Sequence, residues 1–180
     1  MRVFLAVEFP ESVRRYLYSL QQEVRTVCRS GHFTHRDNFH LTLRFLGGTG
    51  REERQKLQRA MDASAQKCEP FFIRIQGLGH FLRGNRQILW IGIQESHALQ
   101  EVYDCLQTEL SACGYPKERR PYTPHITLGR EVVTDRDFSD LSDVLYVEER
   151  KIPVRFLSMM QSTKVHGQLK YIPLYRTKLV

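Results

Sequence analysis

The chain has 180 residues, of which 41% are hydrophobic and 26% charged. These proportions are ordinary for a globular domain and exclude disordered and collagen-like proteins. The formal net charge of +7 suits an anionic partner such as RNA, although many proteins with other partners carry as much. No apolar run approaches the ~18 residues of a membrane span, and the N-terminal run reaches Glu8 too early for a signal-peptide core.

The cysteines indicate neither a disulfide framework nor a zinc site. They are Cys28, Cys68, Cys105 and Cys113. None forms a C-x-x-C pair, and their spacing matches no zinc site. We therefore expect free thiols, no metal and a reducing cytoplasmic location.

The N-terminal part predicts a strand followed by a helix. The apolar run Arg2–Glu8 is typical of a buried strand. Apolar residues at spacings of three and four then predict a helix that opens at Pro10 and ends at Gly31. Further on, Thr49 and Glu52 resemble a capping box, which predicts the start of a second helix.

The rest of the chain mixes strands and helices without a regular β-α-β rhythm. The predicted elements are strands over Pro70–Leu78 and Gln87–Ile93, a helix from Ser96 to Gly114, a strand over Pro124–Gly129, a short helix within 135–143, and strands over Lys151–Thr163 and Gln168–Lys178. This order favours an α+β fold over a doubly wound parallel sheet.

Two alternating segments share the pattern His-apolar-Thr-apolar. In Phe39–Phe45, the alternation places Phe45 on the apolar face and His40 and Thr42 on the polar face. His125 and Thr127 share the polar face of the second segment, nearly half a chain length later. A single copy is weak evidence, but two related halves would bring these polar faces together across a cleft.

Two imidazoles at one reacting centre are suited to acid–base catalysis, because a pKa near ~6.5 allows both protonation states at neutral pH. One accepts a proton from water while the other gives a proton to the leaving oxygen. The hydroxyls of Thr42 and Thr127 are placed to hold non-bridging phosphate oxygens. The set fits hydrolysis of a strained cyclic 2′,3′-phosphate. The pattern alone does not assign which histidine plays which role.

Several basic residues are weaker candidates. Arg130 follows the second motif and would stabilise phosphate charge. Its strand parity points away from His125 unless Gly129 distorts the strand. Loop residues including Arg119 and Arg120 are candidates to guide RNA into the cleft, although a solvated loop explains them equally well.

At these motifs the sequence resembles the two-histidine phosphoesterase superfamily. Further matching segments are RVFLAVEFP, HLTLRFLG, ILWIGI, RPYTPHITLGR and QSTKVHGQLKYIPLYR. They are similar to its RNA 2′,3′-cyclic phosphodiesterase branch, long labelled 2′-5′ RNA ligases. The resemblance extends over essentially the whole chain.

The resemblance implies one bilobal α+β domain over residues 1–180, with two antiparallel sheets flanking a cleft, helices outside and pseudo-twofold related halves. It implies hydrolysis of RNA 2′,3′-cyclic phosphate ends, or of cyclic nucleotides, to 2′-phosphates, with no metal or other cofactor. Carried over, His40 is the proton donor, His125 the proton acceptor, and Thr42 and Thr127 bind phosphate.

Two alternatives remain open at this point. The same cleft would also join RNA halves through a 2′-5′ linkage, which is the reverse reaction. A binding module that holds a nucleotide or RNA end without chemistry is the other alternative, and intact histidines in both motifs argue against it. We expect a monomer.

Overall fold

The computed structural model describes residues 1–180 and confirms the predicted α+β class. The helices are α1 (Glu11–Arg25), α2 (Arg51–Ala65), α3 (His97–Ala112) and α4 (Phe138–Val144). The strands are β1 (Arg2–Glu8), β2 (Ser30–Phe33), β3 (His40–Gly48), β4 (Phe71–Arg83), β5 (Arg86–Ile93), β6 (His125–Val133), β7 (Lys151–Val154), β8 (Phe156–Val165) and β9 (Gln168–Lys178). No helix combines the length and apolar character that a membrane span needs.

The strands form two antiparallel sheets, with orders β3-β1-β8-β9 and β2-β6-β5-β4-β7. Apolar side chains from both sheets and from α1, α2 and α3 form one continuous core. The alternation of apolar and polar residues in the motif strands explains this arrangement, because one face of each packs into the core. The central strand β1 is buried on both faces, and its Phe4 and Ala6 form a small second cluster with Met160. The polar faces of the motif strands β3 and β6 remain free to line a cleft, and these two strands contact each other.

The two halves repeat one supersecondary unit. In each half a strand leads through a helix to an antiparallel neighbour that carries the His-x-Thr motif, as β1-α1-β3 and as β5-α3-β6. Each helix reaches the opposite sheet: Gln21 of α1 bonds to the carbonyl of Leu128 in β6, and Gln107 of α3 bonds to Arg44 in β3. These crossed contacts tie the lobes together beside the cleft.

The first helix is shorter than predicted. It ends at Arg25 rather than Gly31, and Ser30–Phe33 forms the edge strand β2. Turn hydrogen bonds from Val27 and Cys28 to α1 carbonyls close the helix, and β2 then pairs with β6. This four-residue strand has no apolar alternation, so the sequence gives no signal for it.

The predicted strand Lys151–Thr163 is wrong because it is two strands. β7 pairs with β4 in one sheet, whereas β8 pairs with β1 and β9 in the other. The break lies at Arg155, whose carbonyl accepts a hydrogen bond of 2.9 Å from the amide of Leu179. The chain changes sheets here, which a continuous apolar pattern does not reveal.

The predicted capping box is displaced by one residue. Gly50 is the N-cap of α2, and the Glu53 carboxylate accepts a hydrogen bond from its amide at 2.5 Å. Thr49 is unsuited to the role because its amide bonds to the carbonyl of Met1 at 2.8 Å. The predicted cap of α3 by Ser96 is confirmed.

Candidate functional site

A cleft of about 730 Å³ opens between the polar faces of β3 and β6. All five site residues predicted from the sequence line it: His40, Thr42, His125, Thr127 and Arg130. The cleft therefore gathers one His-x-Thr motif from each sheet into a single space.

Both histidines are held by the same local hydrogen bond. His40 Nδ1–H donates to the carbonyl of Asn38, and His125 Nδ1–H donates to that of Thr123, each at 2.7 Å. With Nδ1 as donor, Nε2 of each neutral ring carries a lone pair for proton exchange. His40 Nε2 lies 2.8 Å from Thr42 Oγ1, which donates to it when the ring is neutral.

Each imidazole is also packed against two aromatic rings from other strands of its sheet. His40 lies 4.9 Å from the ring of Phe4 and 5.1 Å, edge to face, from that of Tyr171. His125 lies 5.1 Å from Phe81 and 5.8 Å from Trp90. These contacts fix both ring orientations and remove the rings in part from water.

Burial is the main cause of lowered histidine pKa values. It lowers the pKa of His40 to about 4, against the smaller effect of the Asn38 carbonyl, and the positive charges of Arg130 and His125 act in the same direction as burial. Burial also lowers the pKa of His125, and the charge of Arg130 adds to it. Both rings are therefore neutral at pH 7 in the free protein.

A β-bulge in β3 overturns one prediction. Leu5 and Ala6 of β1 pair with Arg44 and Thr42, so Leu43 is an extra residue. The bulge shifts the alternation: Arg44 becomes buried, and Phe45 is 62% exposed and lines the cleft instead of the core.

An equivalent bulge in β6 decides where Arg130 lies. Trp90 pairs with Thr127 and Leu89 pairs with Gly129, which leaves Leu128 as the extra residue. Arg130 therefore lines the cleft together with His125 and Thr127. The parity that pointed this arginine away does not hold, because the strand is distorted next to Gly129.

Buried polar side chains that sequence reasoning missed support this backbone. The Gln21 amide donates to the carbonyls of Thr34 and Leu128, both at 2.8 Å, and so holds the β6 bulge. Asn38 donates to the carbonyl of Leu169 at 2.9 Å and fixes the start of β3. Their partners are more than ten positions away in sequence, so no local pattern marks them.

Arg44 fastens the segment between α3 and β6. It donates to the side chain of Gln107 and, at 2.6 Å, to the carbonyl of Pro116, and it lies 3.6 Å from the Glu118 carboxylate. Tyr122 of the same segment donates to the carbonyl of Thr42 at 2.9 Å. The segment is thus held against β3 on both sides of Arg119 and Arg120.

Comparison with known proteins identifies the family. The family model described as the 2′-5′ RNA ligase superfamily matches residues 9–162. The chain belongs to this superfamily. A Methanocaldococcus jannaschii protein named RNA 2′,3′-cyclic phosphodiesterase is 30% identical over 131 residues, which are 72% of this chain and 71% of that protein. An Escherichia coli protein of the same name is 25% identical over 183 residues, covering 99% and 96%.

Two solved structures have the same fold as this chain. The Escherichia coli LigT structure with 3′-AMP has a TM-score of 0.79 at 23% identity, covering 99% of this chain and 97% of that one. A Thermus thermophilus structure has a TM-score of 0.78 at 25% identity, covering 99% and 98%. The bilobal arrangement of two antiparallel sheets, which the family resemblance implies, is therefore confirmed.

Proposed function

We propose that this chain hydrolyses RNA 2′,3′-cyclic phosphate ends to 2′-phosphates by paired-histidine acid–base catalysis, without a metal ion. The observation that carries the proposal is the convergence of two equivalently held imidazoles, one from each sheet, on one cleft. The names of the curated relatives support the substrate class.

His125 is the general base in this mechanism. Its Nε2 accepts a proton from water, and the water oxygen attacks phosphorus. The bond from phosphorus to O3′ breaks as O3′ receives a proton from Nε2–H of His40. Each imidazole therefore exchanges one proton per turnover, and the product keeps its phosphate on O2′.

A general acid must carry a proton, and the pKa of about 4 opposes this for His40 in the free protein. The dianionic transition state and the bound phosphate supply the missing charge. A negative charge beside an imidazole favours its protonated form and raises its pKa. It also offsets the positive charge of Arg130, one of the groups that lower the pKa of His40.

Thr42, Thr127 and Arg130 bind the phosphate in this proposal. The Thr42 hydroxyl already contacts His40 Nε2, so it lies within reach of a phosphate oxygen that binds next to the acid. Donors placed before the reaction at the site of developing charge stabilise the transition state without reorganisation.

The test is a short RNA ending in a 2′,3′-cyclic phosphate, incubated with the protein in excess chelator. We expect complete conversion to the 2′-monophosphate, identified by its resistance to a 3′-specific phosphatase and by chromatography against both standards. A 3′-monophosphate product, or activity lost on chelation and restored by a divalent cation, contradicts the mechanism.

A further inference from the structure

The cleft concentrates arginines that have no carboxylate partner. Arg83, Arg119, Arg120 and Arg130 line it, and none of them forms an ion pair. The carboxylate in the lining is that of Glu118, which accepts from Tyr103 at 3.0 Å and faces Arg44. The cleft thus has more positive charge than one phosphate group requires.

Arg119 and Arg120 belong to a segment that is fixed before any ligand binds. On one side, the amide of Glu118 donates to the Gln107 side chain at 3.2 Å. On the other side, Tyr122 stacks on Tyr103 with ring centroids 4.2 Å apart and an interplanar angle of 3°. Because this backbone is already ordered, an anion that binds here restricts the arginine side chains but costs little backbone entropy.

An exposed aromatic ring lies on the strand that anchors these cations. Phe45 follows Arg44, the residue that bonds to the segment, and it lines the same cleft. An apolar ring with nearby guanidinium groups matches the chemistry of a nucleotide, whose base stacks on aromatic faces and whose phosphate takes hydrogen bonds from arginine.

We infer that Arg119 and Arg120 bind the internucleotide phosphate adjacent to the reacting end, with Phe45 against a base. The inference rests on the proposed function and adds a substrate requirement to it: the protein prefers an oligonucleotide to a cyclic mononucleotide. A mononucleotide has the reacting phosphate but lacks the neighbouring one, so it has no phosphate for these two arginines to bind.

The test compares adenosine 2′,3′-cyclic phosphate with a tetranucleotide that has the same cyclic end. For the wild-type protein we expect kcat/KM to be ~10-fold or more higher for the tetranucleotide, with a stronger salt dependence. The double variant R119A/R120A should bring the ratio of the two kcat/KM values close to 1. It should also reduce the slope of log kcat/KM against log salt by about 1 for the tetranucleotide.

The matched control is R51A/R59A, which removes the same charge from the exposed surface of α2 outside the cleft. It should keep the wild-type ratio. An unchanged ratio in R119A/R120A, or an equal loss of preference in both double variants, overturns the inference.

A binding measurement separates this inference from the proposed function. Fluorescence anisotropy gives the affinity for a labelled tetranucleotide ending in a 2′-phosphate, which is not turned over. We expect R119A/R120A to bind it ~10-fold more weakly than R51A/R59A does. If the wild-type protein hydrolyses neither substrate, the proposed function fails and this affinity difference alone decides the inference. Equal affinities of the two variants overturn it.

Discussion

The two motif strands have the same bulged backbone geometry but different side chains after the bulge. β3 and β6 each place His and Thr in the cleft, each contain a bulge after the Thr, and each return to the cleft with the next exposed residue. At that last position β3 has Phe45 and β6 has Arg130. The same backbone geometry therefore places an apolar ring from one lobe and a cation from the other in the cleft.

The residue that follows the extra residue of each bulge also differs. In β3 the buried Arg44 reaches out to hold the segment before β6. In β6 the corresponding residue is Gly129, where an added Cβ would lie 3.0 Å from the ring of Phe33. The lack of a side chain lets β2 pack closely beside β6. The lobes are thus alike at the His-x-Thr motifs and differ in the residues that surround them.

The largest effect should come from the positions at which the lobes are equivalent. His40→Ala and His125→Ala should each lower kcat on a cyclic-phosphate RNA by roughly 100-fold or more, because each removes one of the two proton-transfer groups of the proposed mechanism. His97→Ala on the exposed face of α3 is the control and should leave kcat unchanged. A wild-type kcat in either cleft variant contradicts the equivalence.

The next prediction concerns the positions at which the lobes differ. Arg130→Ala should lower kcat by about 100-fold, because it removes a proposed charged donor to the phosphate. Phe45→Ala should act mainly on KM, because we place its ring against a base rather than against the reacting group. Steady-state kinetics of both variants give this split, with Arg86→Ala, an arginine paired to Glu131, as the control. Similar kcat losses at both positions would contradict the division of roles.

A smaller effect concerns the aromatic support of His125. A Cβ on Gly79 would lie 2.1 Å from the Trp90 indole, whereas one on Gly77 would meet nothing within 4 Å. Gly79→Ala must displace Trp90 and should lower the free energy of unfolding by about 1–3 kcal/mol, with a loss of kcat. Gly77→Ala is the control and should have neither effect. Urea unfolding checks this, and equal stabilities of the two variants would contradict it.

The last effect is the pH dependence of stability. The pKa of His40 is about 4 in the folded chain, against 6.5 for an unperturbed histidine. Between these pH values the unfolded chain binds a proton that the folded chain does not, so stability falls as the pH falls. His40→Gln should lose less stability than the wild-type protein between pH 7 and pH 4.5 in urea unfolding. An equal loss would show that His40 is not shielded.

Local patterns predicted most of what brings the histidines together. The alternation around His40 and His125, the helix stripe after Pro10 and the Ser96 cap correspond to observed elements. Each depends on residues a few positions apart, which is the range over which periodicity and capping act. These elements were enough to predict that the polar faces of two strands meet.

Features that depend on distant pairing were not predictable in this way. An extra residue in a strand changes the parity of everything after it. Phe45 was therefore predicted on the wrong face, and simple alternation pointed Arg130 away from the cleft that it in fact lines. The positioning roles of Gln21, Asn38 and Arg44 arise from partners on other elements. Such roles become visible only when the register of both sheets is known.

The most direct test of the central claim is the combined variant H40A/H125A, measured beside the two single variants under single-turnover conditions. If both imidazoles act on one phosphorus atom in one step, the combined variant should be about as slow as either single variant, because the groups work as a unit. Rate losses that multiply in the combined variant would show that the two histidines act independently, and the account would be wrong.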